Sequence, residues 1–135
     1  MSQRSTFRAM ARAALAADPR LSAVTLLSAW AGNISASELP VIGVVTPQER
    51  SQAQTLEDFE RSTLLQIVVK RLGAEDLEDE MDADADAIEA CILAAFLPAG
   101  LRCLPEDATF TLNGEGEQKI GTVLVSFRVT WFRSL

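Results

Sequence analysis

The chain has no histidine and no tyrosine, Lys70 and Lys119 are its only lysines, and Cys91 and Cys103 are its only cysteines. Without histidine there can be no Ser-His-Asp triad, no Cys-His pair and no zinc site with an imidazole ligand. Two cysteines cannot close a structural zinc site or build a disulfide framework, and they point to a reducing compartment. Carboxylate pairs and lysine chemistry remain open, so an enzyme is poorly provisioned rather than excluded. No apolar run approaches the ~20 residues that a membrane span needs. The opening "MSQRSTFRAMARAALAAD" lacks the compact apolar centre of a secretion signal. Its arginine-rich, acid-poor composition also suits an organellar presequence, but the spacing reads better as a packed helix.

What is present is an ordinary globular composition. The 135 residues are 48% hydrophobic and 23% charged, with a net charge of −7. That length predicts one domain over residues 1–135 with a real core. The acidic balance disfavours a surface built to neutralise DNA phosphates.

Apolar Phe7, Met10, Ala11, Ala14 and Leu15 recur at helical spacing over residues 4–17. Ser5 or Thr6 is the expected cap, and Pro19 marks the end. Arg4, Arg8 and Arg12 form a stripe beside that face, expected to be solvated or to touch another subunit. Val24, Thr25 and Trp30 then suggest a short strand near 24–30, before a Gly32-Asn33 breaker. "ELPVIGVVT" reads as a strand covered on both faces and closed by Pro47. Residues 47–60 read as a long polar loop, with only Leu56 and Phe59 as large apolar side chains. Glu49, Arg50, Glu57 and Phe59 within it are candidate contacts to a neighbouring subunit or to another partner of the assembly. "STLLQIVVKRL" resumes as a strand ended by Gly73.

The stretch "DLEDEMDADADAIEACILAAF" places Asp82, Asp84 and Asp86 at alternate positions, as a calcium loop does. Such a loop requires Gly at its sixth position and Glu at its twelfth, where this chain has Ala87 and Leu93. As a helix, Leu77, Met81, Ala85, Ile88, Ile92, Ala95 and Phe96 share one face, with Cys91 at its edge. Asp79, Glu80, Asp82, Asp86 and Glu89 project from the other side, and acids early in a helix suit its positive end. Asp84 alone falls in the apolar sector, as a rim residue or a subunit contact. Pro98 and Gly100 stop the helix. The chain closes as a hairpin with its turn near Asn113-Gly114 and Gly116. "GEGE" there is no phosphate loop, since no helix follows. The last strand alternates, with Val123, Val125, Phe127, Val129 and Trp131 on one face. The expectation is an α+β domain: a mixed or antiparallel sheet of four to five strands with two helices on one face. No metal or cofactor is expected.

The chain resembles the tail terminator family of long-tailed phages, the lambda-like minor tail protein U group, which includes gene transfer agent counterparts. The resemblance rests on "RAMARAALAAD", "ELPVIGVVTPQER", "STLLQIVVKRLG", the acidic helix and "GTVLVSFRVTWF", in that order over most of the chain. It implies a non-enzymatic virion protein that forms a homohexameric ring on the finished tail tube. Such a ring stops tube polymerisation, presents a surface to the head–tail connector and leaves a lumen through which DNA passes without specific binding. It implies assembly in the host cytoplasm, a place at the head-proximal end of the tail, and no membrane partner. The alternatives are a head–tail joining protein, a small carboxylate-dependent enzyme and a regulatory module that uses the acidic helix as a partner surface.

Overall fold

In the computed structural model, residues 2–30, 34–73, 75–114 and 119–134 are described. The Gly32-Asn33 breaker and the Gly116 part of the last turn lie outside them.

Helix α1 spans Gln3–Ala17. Its cap is Ser2, whose hydroxyl accepts a hydrogen bond from the Ser5 amide at 3.1 Å, so the helix begins earlier than Ser5 or Thr6 would place it. Phe7, Ala11 and Leu15, four apart, are its buried stripe. Strand β1 is only Thr25–Leu26; the rest of the segment to Trp30 is not a strand. Strand β2 is Val41–Ala53 and β3 is Asp58–Gly73. Helix α2 spans Leu77–Phe96, followed by β4 at Arg102–Asn113 and β5 at Lys119–Ser134.

The five strands form one mixed sheet in the order β1-β2-β3-β5-β4. β1 runs parallel to β2, and every other neighbouring pair is antiparallel. The centre of the sheet is the β3–β5 ladder, continuous from Asp58↔Ser134 to Gly73↔Lys119. β3 and β4 are therefore parallel, with β5 inserted between them. The α+β expectation holds, with both helices on one sheet face.

That face buries the apolar alternation of three strands. Ile42 and Val44 of β2, Leu65, Ile67 and Val69 of β3, and Val123, Val125, Phe127 and Val129 of β5 form one cluster with both helices. Leu77, Met81, Ile88, Ile92 and Phe96 supply the share from α2, and each side chain of that size contributes roughly 1.5–3 kcal/mol on burial. Phe7 packs on Phe96 at 5.9 Å between ring centroids and meets the Trp131 ring edge-on at 6.4 Å. α2 lies so close to β5 that a Cβ on Gly121 would stand 2.5 Å from the Met81 sulfur. On the opposite face Trp30 lies over Gly43, where a Cβ would meet its ring at 2.2 Å. Ser126, also on that face, is buried and its hydroxyl bonds to the Gln66 amide at 3.2 Å.

The largest departure from the sequence reading is residues 47–60. They are not a loop. β2 continues through Pro47 to Ala53 and pairs with β3 as far as Ala53↔Phe59, which leaves only residues 54–57 as a turn. The register slips between Val45 and Gln48, and Pro47 sits in that bulge, where it need not donate to the ladder. The polar strand persists because β3 is also paired with β5 along its other side over the same residues.

Candidate functional site

The β2–β3 hairpin arm gathers the polar groups that could form a site. Beyond the bulge the facing of β2 reverses, so Glu49 stands opposite Thr63. The Glu49 carboxylate accepts from Arg61 Nη1 at 3.1 Å and from the Thr63 hydroxyl at 3.3 Å. Trp131 Nε1 donates to the same Thr63 hydroxyl at 2.9 Å. The Arg61 guanidinium also lies over the half-buried Phe59 ring, 5.9 Å from its centroid. This chain of contacts links β2, β3 and β5 where the arm leaves the core. Arg61, Thr63 and Trp131 were not among the sequence candidates. Their signal was the short polar residue Thr63 inside an apolar strand, two residues from a charge.

Ser2, Gln3, Arg4, Glu49, Trp131 and Arg133 line a cleft of about 590 Å³ beside the start of α1. The fold thus brings Arg4 and Glu49 together. Arg8 reaches the arm differently: its Nη1 donates to the Thr46 hydroxyl at 2.6 Å, and its Nη2 to Ser5 at 3.1 Å. Arg12 is half-buried, and its Nε is enclosed without a hydrogen-bond partner among the described residues. Arg50 lies on the helix-free face, in a groove with Glu60, Arg102 and Leu104. Glu57 is exposed in the turn, where its amide donates to Thr55 Oγ1 at 3.2 Å. Leu56 at the tip is 97% exposed.

Asp84 is not at the rim of the helix, and its carboxylate is taken up within the chain. It is 4% exposed, and both its oxygens accept from Arg71 of β3. Glu80, read as solvent-facing, is half-buried and lies 3.4 Å from the same guanidinium. The bond from Asp84 raises the pKa of Arg71 further above its ordinary value. An arginine on the covered face of a β-strand requires a carboxylate there, and that explains an acid at an apolar helix position.

No protein-family model matches the chain. Nor does any curated protein.

Burial pushes the Cys103 thiol up to about 11, and it raises Cys91 as well, beside Asp18. Asp18 is lowered to about 2, chiefly by its hydrogen bonds from Arg20. Among the described residues no group of three or more Cys, Asp or Glu is placed to hold a metal ion.

The two outer edges of the sheet stand apart from these satisfied groups. β1 covers only Val41 and Ile42 of β2, so among the described residues no strand lies on the outer side of 44–53. β4 is the opposite edge, and all of it except Cys103 is exposed. Its first half carries Pro105, a bulge and the acids Glu106 and Asp107, the usual protections of an edge. Its second half, residues 108–113, carries no charge and no proline, and it presents half-exposed Phe110 and Leu112.

Proposed function

We propose that this chain is a structural subunit of a tail-terminator-like ring, one that caps a phage or gene-transfer-agent tail tube and receives the head connector. The observation that supports this reading is the pair of unpaired sheet edges, long, different in sequence and on opposite sides of one domain. A ring closed by rotation needs two different surfaces that meet each other, and edge strands supply backbone groups for that contact. The order of elements and the acidic charge agree with a lumen that passes DNA without gripping it. In this reading the hairpin arm, whose tip residue Leu56 is exposed, contacts a neighbouring subunit or the tube.

The test is direct. The purified full chain is imaged by negative stain and its mass measured by light scattering. It is then added to polymerising tail-tube subunits. Small rings, and tubes that stop growing once capped, are the expected result. A chain that leaves tube length unchanged but binds the connector would make it a head–tail joining protein instead.

A further inference from the structure

We infer that adjacent copies are held in register by a helix-to-helix contact of opposite charge: the arginine flank of α1 on one copy seats against the acidic flank of α2 on the next. This rests on the ring reading above and specifies which surfaces meet.

The two helices cover different halves of the sheet. α1 packs over β1 and β2, and α2 over β5 and β4. The Arg8–Thr46 bond turns the arginine flank toward the β2 edge. Glu78 and Asp82 form a cleft with Phe110 and Leu112, which turns the acidic flank toward the β4 edge. Opposite charges therefore lie on opposite sides of the domain, beside the two edges that have no partner strand. Joining the copies edge to edge brings these flanks together and leaves no like-charged helices facing each other.

The spacing also matches. Arg4, Arg8 and Arg12 repeat every four residues, as do Glu78, Asp82 and Asp86, so both rows advance about 6 Å per charge. Among the described residues none of these six side chains is in an ion pair. By contrast, Glu49, which shares a cleft with Arg4, is already held by Arg61. On the β4 side, Arg102 belongs to the groove on the helix-free face, and Arg71 and Arg128 are already paired with Asp84 and Glu106. A chain with a net charge of −7 repels its own copies unless the contact places unlike charges together, and these flanks do so.

Two charge reversals test the contact in the full chain. One carries Arg4→Glu and Arg12→Glu; the other carries Asp82→Lys, Asp86→Lys and Glu89→Lys, all at exposed positions. Circular dichroism and melting establish that each is folded; the acid-flank reversal alters only solvated side chains and carries the test if the other does not fold. Sedimentation should show each variant associating at least roughly 100-fold more weakly than the natural chain. An equimolar mixture should recover association to within roughly 10-fold, because each copy then meets an opposite charge on both sides. Association of the natural chain should also weaken between about 0.05 and about 0.5 M NaCl. Natural rings with an acid-flank reversal that assembles normally would overturn the contact and leave the ring standing. A mixture of two folded variants that fails to recover would do the same. A natural chain that stays monomeric up to millimolar concentration, alone and with tube subunits, would overturn both.

Discussion

Asp84 on α2 and Arg71 on β3 form a two-pronged ion pair beneath the helix, with Nε–Oδ2 at 2.5 Å and Nη2–Oδ1 at 2.9 Å. The Asp84 side chain is 4% exposed and the Arg71 side chain 17%. Removing one partner from such a pair strands the other charge, whereas replacing both leaves an apolar contact. Asp84→Ala is therefore expected to cost about 3 kcal/mol in a urea titration. The double variant Asp84→Leu with Arg71→Met should recover most of that loss. Equal costs for Asp84→Ala and for Asp86→Ala, at an exposed position two residues on, would refute this account.

The two sides of α2 differ in the same way for apolar residues. Ile92 is fully buried among Phe96, Ile88 and the sheet. Ile92→Asp should destabilise the fold by ~3 kcal/mol or more, because the new charge has no partner. Asp86→Asn should change stability by less than ~0.5 kcal/mol. Chemical denaturation of the two variants side by side distinguishes them.

Alternating aspartates in a helix do not converge. Asp84 turns inward to Arg71, while Asp82 and Asp86 are exposed. Calcium titrated into the protein should give neither saturable heat nor a rise in melting temperature. A micromolar site, with stabilisation of several kcal/mol, would mean that this segment refolds around the ion.

Cys103 links burial to pH. Its thiol pKa rises from the ordinary 9.0 to about 11 because the folded chain surrounds it. A raised pKa means the folded state keeps a proton that the unfolded chain gives up, so this contribution is complete below pH 9 and is lost as pH rises to about 11. The urea midpoint of the natural chain should fall more between those pH values than that of Cys103→Val. A thiol reagent at neutral pH should label neither buried cysteine quickly until the protein is unfolded. Rapid labelling of Cys103 in the native state would contradict its burial.

The hairpin arm predicts a particular exchange pattern. Amides of β3 near Arg61 and Thr63 are paired on both sides of the strand and should be protected even in the monomer. The turn at residues 54–57 should exchange fast. Replacing residues 52–60 by Asn-Gly joins Ser51 to Arg61 across a two-residue turn, and the core should stay folded. Tube capping should be impaired. Normal capping by this shortened chain would reduce the arm to a spacer.

Much of this fold was legible in the sequence because burial writes a period into it. The four-residue recurrence of Phe7, Ala11 and Leu15 and the alternation from Val123 to Val129 each named a face that the structure buries. The arm was not legible, because its strands have little apolar content to alternate and Pro47 reads as a stop. What holds it is pairing with β5, a strand far along the chain, and no local pattern announces that. Asp84 was visible as an anomaly, but its meaning depended on Arg71, thirteen residues earlier on another element. The arginine and acid rows were both legible as helix flanks. Their placement at opposite sheet edges was not.

The β3–β5 ladder at the centre of the sheet has a consequence for how the chain reaches this structure. β2–β3 and β4–β5 are hairpins that close locally, but the ladder between them joins residues separated by the whole of α2 and β4. Loop-closure entropy must be met before that ladder contributes, which makes its formation a slow step. Until then Ile67, Val68 and Val69 and the facing Val123, Leu124 and Val125 are open strand edges rich in β-branched residues. A newly made chain is thus most exposed to aggregation through the strands that end up best protected.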